Sequence, residues 1–218
     1  TKKQKLAIAK NLLKKPSIKT VLEKSRDVKG RLRTIKTKFI AGEKTLETIH
    51  KENNCQLKTN VETCYFSPRQ SNGRKQVASK IKKKDNVLVM FSGIGAYPIV
   101  IHKLANPKQI TAIEISRACN KYFKENIKLN KIPTNKIIQI QGNVKNKIPK
   151  KKYDVIMMAR PNLKTTFLEQ ALRASKKGTK IFYHGFCRTN ELKDLKQQLT
   201  NEAKSKRKKI LISKIILK

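Results

Sequence analysis

The sequence predicts an α/β fold in which a twisted parallel sheet carries helices on both faces, preceded by a small α+β module. Two observations support this prediction. Beyond Pro68, apolar strand-like segments alternate with helical ones, which is the pattern of βαβ units. The first of these strands runs directly into Phe91-Ser92-Gly93-Ile94-Gly95, where glycines allow backbone to come close to a bound ligand.

The small module is predicted over residues 1–62. Its first element is an amphipathic helix over residues 3–15, in which apolar residues recur at helical spacing until Pro16 stops the helix. Three short alternating segments then indicate strands, at 32–40, 45–51 and 55–61.

The larger domain is predicted over residues 63–218. Its strands are expected at 86–91, 109–115, 137–143, 153–159 and 180–186, with one closing strand within 208–218. Its helices are expected at 97–105, 117–130, 164–178 and 191–206. In such a sheet the ligand crevice lies at the carboxyl ends of the strands, here the first four.

The charge balance indicates a polyanionic partner. The chain has 53 Lys plus Arg against 14 Asp plus Glu, a formal net charge of +39. Self-repulsion of that size disfavours a compact chain unless a polyanion relieves it, so we expect the chain to bind nucleic acid. A lysine-biased surface explains part of the excess. The basic residues are spread along the whole chain, which disfavours a membrane-surface helix.

Cysteine and histidine spacing argues against a metal site. The four cysteines form no CxxC pair, and the three histidines have no ligand partner at useful spacing. No apolar run reaches the ~18 residues that a membrane span needs, and no signal peptide opens the chain. We therefore expect a cytoplasmic monomer with reduced thiols, no metal and no membrane contact.

A glycine loop and an acid together predict the ligand. Glu114 ends the second strand, 21 residues beyond Gly93, where a carboxylate can accept hydrogen bonds from both hydroxyls of a ribose. The third glycine of the dinucleotide fingerprint is absent, because the next helix begins at Tyr97-Pro98. This combination favours an adenosine-type ligand without a pyrophosphate, and S-adenosylmethionine fits. The alternative, Glu114 as a surface acid, is disfavoured by its position in an apolar strand.

The fourth strand ends in Met157-Met158-Ala159-Arg160-Pro161-Asn162, at the edge of the same crevice. Pro161 has a fixed φ and no backbone donor, which suits a wall that must hold one shape beside a substrate. An ordinary βα loop with a proline near a helix start gives the same pattern. The motif alone leaves both interpretations open.

Several segments resemble the archaeal and eukaryotic tRNA (guanine-N1) methyltransferases that act at position 37, next to the anticodon. The similarity runs in order from about residue 20 to residue 186. It includes "YFSPRQSNGR", "VLVMFSGIGAYPIVI", "AIEISRACNKYFKENIKLNKI" and "IIQIQGN". The most specific combination is "YFSPR" before the glycine loop with "ENIKLN" after the acid.

The resemblance implies a Rossmann-like class I methyltransferase domain preceded by a module that clamps the tRNA anticodon arm. It implies S-adenosylmethionine, bound in a bent form, as cofactor, and N1-methylguanosine at position 37 as product. Family members often carry a further N-terminal domain that senses the tRNA elbow, and we expect this chain to start after it.

The resemblance also implies roles for single residues. Arg33 matches an arginine that binds the O6 side of the target guanine, and Pro161 matches the proline of the substrate loop; we assign both as catalytic. The implied cofactor contacts are Tyr65, Phe66, Arg74, Phe91, Gly93, Gly95, Glu114, Ile115, Asn143, Val144 and Ala159. The implied substrate contacts are Arg33, Arg69, Arg160 and Asn162. Tyr65 and Phe66 either stack on cofactor or base or fill core space, and the resemblance favours stacking.

The chain departs from the family pattern at its acids. Gly73 stands where the family has the acid expected as general base, and Val89 and Asn143 replace two further acids. Ala159 replaces the loop Asn. Because a positioned base is worth ~10²–10⁴-fold in rate, we expect methyl transfer that is slow or that uses a different base, with Arg33 stabilising the enolate charge.

Two other functions stay open. One is the aminocarboxypropyl transfer of wyosine synthesis, performed by sister enzymes that share the fold and cofactor but usually lack the "FSPR" form. The other is a catalytically weak tRNA-binding protein that retains the fold, which the lost acids suggest.

Overall fold

The structure is a computed structural model that describes residues 1–25, 30, 32–159, 165–185 and 187–216. It opens with helix α1 (Lys2–Leu13), whose first turn is closed by a reciprocal capping box between Thr1 and Gln4. Strands β1 (Thr20–Lys24) and β2 (Thr37–Gly42) pair antiparallel beside this helix. The predicted helix is confirmed, whereas the segment predicted as a strand over 32–40 becomes a strand only from Thr37.

Strands β3 (Glu47–Glu52) and β4 (Cys55–Asn60) form a hairpin. Its two turn residues, Asn53 and Asn54, both have positive φ (46° and 58°), as a tight turn that matches the twist of the strands requires. The two strands agree with those predicted at 45–51 and 55–61.

The larger part of the chain is a parallel sheet of five strands in the order β7-β6-β5-β8-β9. The strands are β5 (Asn86–Met90), β6 (Gln109–Glu114), β7 (Ile137–Gln141), β8 (Tyr153–Met158) and β9 (Ser175–Tyr183). The helices are α2 (Ser71–Ala78), α3 (Ala96–Ala105), α4 (Arg117–Leu129), α5 (Val144–Lys147), α6 (Leu168–Ala174) and α7 (Leu192–Ser205). This is the predicted Rossmann-like α/β architecture, and it confirms the fold class.

Both faces of the sheet are buried, which explains why its central strands read as continuous apolar runs. Along β5, Val87 and Val89 join a cluster with residues of α2, α3, α4 and the hairpin. The alternate residues Leu88 and Met90 join a second cluster with residues of α5 and α6. Val89 is fully buried, so an apolar side chain suits the position where the family pattern has an acid.

The hairpin is fastened to the sheet domain by two asparagines of α4. Asn126 accepts from the Lys58 amide (2.7 Å) and donates to the Lys58 carbonyl (2.9 Å). One helical turn later, Asn130 makes the same pair of bonds with Gln56, at 2.9 and 2.7 Å. The two side chains thus pair with the edge of β4 as a neighbouring strand would, which gives "ENIKLN" a structural role. The domain boundary at residue 62 stays a prediction.

Two predicted elements were wrong, both near the end of the chain. The helix predicted over 164–178 spans only Leu168–Ala174, and Ser175 already pairs with Tyr153 of β8. The hydroxyl of Thr179 also donates to the Tyr153 carbonyl at 2.7 Å. Tertiary pairing overrides the helical composition there. The closing strand predicted within 208–218 is absent from the described residues 208–216, where Ile210 instead packs against α6 and α7.

Three elements were not predicted: β1, α2 and the four-residue helix α5. No helix was expected between residues 62 and 86, yet α2 lies there, packs against α3 and buries Arg74, Val77 and Ala78. This burial depends on tertiary contacts that a local pattern does not show.

Candidate functional site

A cleft lies at the carboxyl ends of β5, β6 and β8, where the sheet topology places a ligand crevice. The cleft is open to solvent, and the space between its walls is about 750 Å³. Besides the ends of these strands, its walls come from the start of α3 and α4, from the segment 65–74 and from Leu32 and Arg33. Residues from both predicted domains therefore form one site.

Glu114 is the fixed acid of the cleft. Its two carboxylate oxygens accept hydrogen bonds from the backbone amides of Gly93 (2.9 Å) and Ser116 (2.8 Å). The side-chain amide of Asn120 donates to the carbonyls of Glu114 (2.9 Å) and Ser116 (2.8 Å). Each carboxylate oxygen keeps a further lone pair, so the group is oriented to accept from two neighbouring hydroxyls.

The glycine loop approaches its neighbours closely. Gly95 has φ +86°, and a Cβ at this position would lie 2.0 Å from the ring of Phe123 on α4. Phe91 also has positive φ, +61°, and its ring packs edge-on against Phe167 at 5.2 Å between centroids. A non-glycine residue in this backbone region is strained, and such strain is concentrated at ligand sites.

The segment 65–74 forms the wall of the cleft next to α3. Arg74 makes a bidentate ion pair with Glu52 of the hairpin, with both hydrogen bonds at 2.5 Å, and also donates to the carbonyl of Ser67 at 3.1 Å. Its guanidinium lies 5.1 Å from the ring of Phe66 and 5.9 Å from that of Tyr97. The pair is buried, since the side chains of Arg74 and Glu52 are 2% and 3% exposed.

Tyr97 closes the inner end of this wall. Its hydroxyl is 3.2 Å from Nε2 of His184, which stands just beyond β9. Burial raises the pKa of the Tyr97 phenol, so the side chain stays neutral at physiological pH.

Arg33 stands at the rim of the cleft on Tyr65. Its guanidinium carbon lies 3.7 Å from the centroid of the Tyr65 ring, and Arg33 itself has φ +56°. A planar cation stacked on a half-exposed aromatic ring marks a surface on which a base can also stack.

The structure brings most of the sequence-predicted site residues together. Those that line the cleft are Arg33, Tyr65, Phe66, Arg74, Phe91, Gly93, Glu114, Ile115 and Ala159. Four others stand apart from the described lining: Gly95, Arg69, Asn143 and Val144. Arg160, Pro161 and Asn162 lie outside the described residues.

Three of the residues that stand apart have structural positions of their own. Gly95 precedes α3 and allows the close approach to Phe123. Asn143 caps α5, where its side chain accepts from the Lys145 amide at 3.1 Å. Val144 is buried in the second core cluster.

Sequence reasoning missed Glu52 and Asn120. Glu52 directly follows the strand predicted at 45–51, and its only signal was an acid in a chain that has few. Asn120 lay in the motif segment after Glu114 but received no role. Both act through a second residue, Arg74 in one case and Glu114 in the other, and such pairing is invisible in a local pattern.

Within the part of the chain that the structure describes, no group of three or more His, Cys, Asp or Glu side chains could hold a metal ion. Over the same residues, no helix combines the length and apolar character needed to cross a bilayer.

The sheet order, the fixed acid at the end of β6 and the strained glycine loop define the Rossmann-like class that binds adenosine-type ligands without a pyrophosphate. The chain matches the family model "TRM5/TYW2 methyltransferase domain" over residues 48–211. It belongs to this family, as the resemblance of its motifs indicated.

Individual relatives agree with this assignment. The chain is 36% identical over 170 residues to the tRNA (guanine(37)-N(1))-methyltransferase Trm5b of Pyrococcus abyssi, covering 78% of this chain and 50% of the relative. It therefore spans about half the length of that protein. Among solved structures, the complex of aTrm5 with tRNALeu has a TM-score of 0.81 at 30% identity, covering 91% of this chain and 58% of the other. The structure of M. jannaschii TYW2 with AdoMet has a TM-score of 0.67 at 28% identity, covering 78% and 76%.

Proposed function

We propose that this chain is the catalytic part of an S-adenosylmethionine-dependent tRNA methyltransferase that forms N1-methylguanosine at position 37. The observation that carries the proposal is the carboxylate of Glu114, fixed by two backbone amides at the floor of the cleft. The similarity to Trm5b supports the choice of reaction.

The cleft residues fit S-adenosylmethionine. Glu114 would accept from the ribose hydroxyls, while the partly buried side chains of Phe91 and Ile115 offer apolar surface for a purine. When bound, this cofactor supplies a methyl group attached to a positively charged sulfur. Its demethylated product is S-adenosylhomocysteine, whose sulfur is neutral.

Arg33 and Tyr65 are the residues we assign to the target guanine. Extruded from the anticodon loop, the base would reach the rim of the cleft, where Tyr65 offers a stacking surface. Arg33 would donate to O6 and stabilise the negative charge that develops as N1 loses its proton. N1 then forms a bond to the methyl carbon while the carbon–sulfur bond breaks, with its electron pair staying on sulfur.

The part of the cleft that the structure describes offers no free carboxylate to accept the N1 proton. Among the described residues that line the cleft, Glu114 is the only carboxylate, and its oxygens are committed to amides and ribose. Gly73 takes the position at which the family has an acid. We infer that water accepts the proton and that the reaction is slow for this reason.

We propose that residues 1–62 form the tRNA-recognition module, with the anticodon arm as its target. Binding would rely on phosphate contacts from the many lysines, while specificity comes from the cleft. A cytoplasmic location and a monomeric state are part of the same proposal.

The test is incubation of the purified chain with S-adenosylmethionine and an unmodified tRNA transcript that carries guanosine at position 37, followed by nucleoside mass spectrometry. We expect one methyl group on N1 of that guanosine. An aminocarboxypropyl adduct would replace the proposal with the wyosine-type reaction, for which the similarity to TYW2 is the supporting observation. Intact tRNA binding without any product at high enzyme concentration would support the alternative, a catalytically weak tRNA-binding protein.

A further inference from the structure

The buried ion pair between Glu52 and Arg74 is the basis for an inference about the cleft. The two residues lie 22 positions apart, one on the hairpin and one on α2, and they meet in a fully paired, bidentate geometry. Arg74 also lines the cleft, whereas Glu52 lies behind it and is absent from the described lining. The carboxylate therefore acts on the cleft through Arg74.

The positive charge of the cleft walls makes this ion pair important for the binding of a cationic ligand. The described lining holds two cations, Arg33 and Arg74, against one carboxylate, Glu114. The whole chain has a formal net charge of +39, so its field adds to the positive potential. The proposed cofactor has a cationic sulfur in addition to an ammonium and a carboxylate, whereas S-adenosylhomocysteine has the same groups with a neutral sulfur. An unpaired Arg74 would repel the first ligand more than the second.

We propose that Glu52 is a positioning residue that neutralises Arg74, and that this neutralisation lets the cleft accept a ligand with a cationic sulfur. This inference rests on the proposed cofactor. Glu52 also fixes the guanidinium against Ser67 and Phe66, so the hairpin contributes to the shape of the wall as well as to its charge. His50 lies 3.2 Å from the same carboxylate and Asn53 donates to it at 3.4 Å, which holds Glu52 in place.

The experiment measures the dissociation constants of S-adenosylmethionine and S-adenosylhomocysteine by calorimetry, at fixed ionic strength, for the wild-type chain and for Glu52→Gln. This substitution keeps the size of the side chain and removes its charge. We expect the dissociation constant of S-adenosylmethionine to rise roughly tenfold more than that of S-adenosylhomocysteine, because one buried unit charge is left uncompensated near the sulfur. An equal rise for both ligands, or no rise for either, would overturn the proposal, since a structural role alone changes both alike.

Glu47→Gln is the matched control. Glu47 lies on the same hairpin, but it bonds to Tyr122 and Lys58 away from the cleft. We expect it to leave the ratio of the two dissociation constants unchanged, and the same change of ratio in this control would also overturn the proposal.

A double variant covers the case in which Glu52→Gln does not fold. Glu52→Gln with Arg74→Met removes both charges, which buried pairs often tolerate, whereas removal of one partner leaves a buried unpaired charge. We expect the double variant to fold and to bind the two ligands with the wild-type ratio. If its ratio shifts toward S-adenosylhomocysteine, Arg74 is not the source of the repulsion and the proposal is wrong.

Failure of the proposed function is distinguishable from failure of this inference. The calorimetric ratio needs neither tRNA nor turnover, so a chain that binds both ligands without methylating tRNA still tests Glu52. A wild-type chain that binds neither ligand would overturn both proposals.

Discussion

Replacement of Glu114 by Gln is the perturbation that tests the candidate site most directly. The carboxylate accepts from the amides of Gly93 and Ser116 and, in the proposed complex, from two ribose hydroxyls. Gln at this position has the same shape but only one acceptor oxygen, and its NH₂ group must face one of the two amides.

The magnitude follows from these bonds. Each hydrogen bond to a charged partner contributes about 1.5–3 kcal/mol, and a neutral one about 1 kcal/mol. Glu114→Gln removes one bond to the ribose and makes the other neutral, which together costs about 3 kcal/mol. At about 1.4 kcal/mol for each tenfold change, the dissociation constant of S-adenosylmethionine should rise on the order of 10²-fold.

Isothermal titration calorimetry measures this change, with circular dichroism to verify that the variant is folded. Glu125→Gln is the control, because Glu125 lies on the neighbouring helix α4 and pairs with Lys58 outside the cleft. A folded Glu114→Gln chain that binds the cofactor within about threefold of wild type would refute the ribose assignment.

Three further predictions concern the fold, the missing base and the thiols. Asn126→Ala should lower the free energy of unfolding by about 3 kcal/mol and Asn130→Ala by about 1 kcal/mol, measured by urea denaturation, because of the two only Asn126 is fully buried and binds the Ile94 carbonyl, at 3.0 Å. Equal losses would contradict the larger contribution of Asn126. Gly73→Glu should raise the single-turnover methylation rate at neutral pH by roughly tenfold or more, since it supplies the absent base, and an unchanged rate would show that no base was missing. Among the four cysteines only Cys187 is exposed, and burial raises the pKa of Cys55 to about 11, so a thiol reagent at pH 8 should modify one cysteine in the native chain and four in denaturant; rapid native modification of a second thiol would contradict the described packing.

Much of the fold and of the site was readable from the sequence. The strands β5, β6 and β8 are buried on both faces, so they appear as continuous apolar runs that a local scan finds. The glycine loop and Glu114 stand at strand ends, and parallel topology alone brings strand ends together. Arg33, Tyr65 and Arg74 line the cleft, but they were singled out by a resemblance to a family and not by periodicity, and their roles stay a prediction.

Other features depended on partners that lie far away in sequence. Ser175 belongs to a strand because β8 lies beside it, and the apolar alternation of 208–216 produces no strand because no ladder partner is present among the described residues. A local pattern contains no information about either neighbour.

By itself, the sequence determined the α/β class, the basic character, and the acid and glycine loop at the strand ends, because these follow from composition and short-range patterns. Only the tertiary structure decided that Glu52 pairs with Arg74 and that Asn126 fastens the hairpin to α4. The first pair is separated by 22 positions and the second contact, to Lys58, by 68. Such contacts exist only when the whole chain is folded, since a buried polar group takes whichever partner the packing brings within reach.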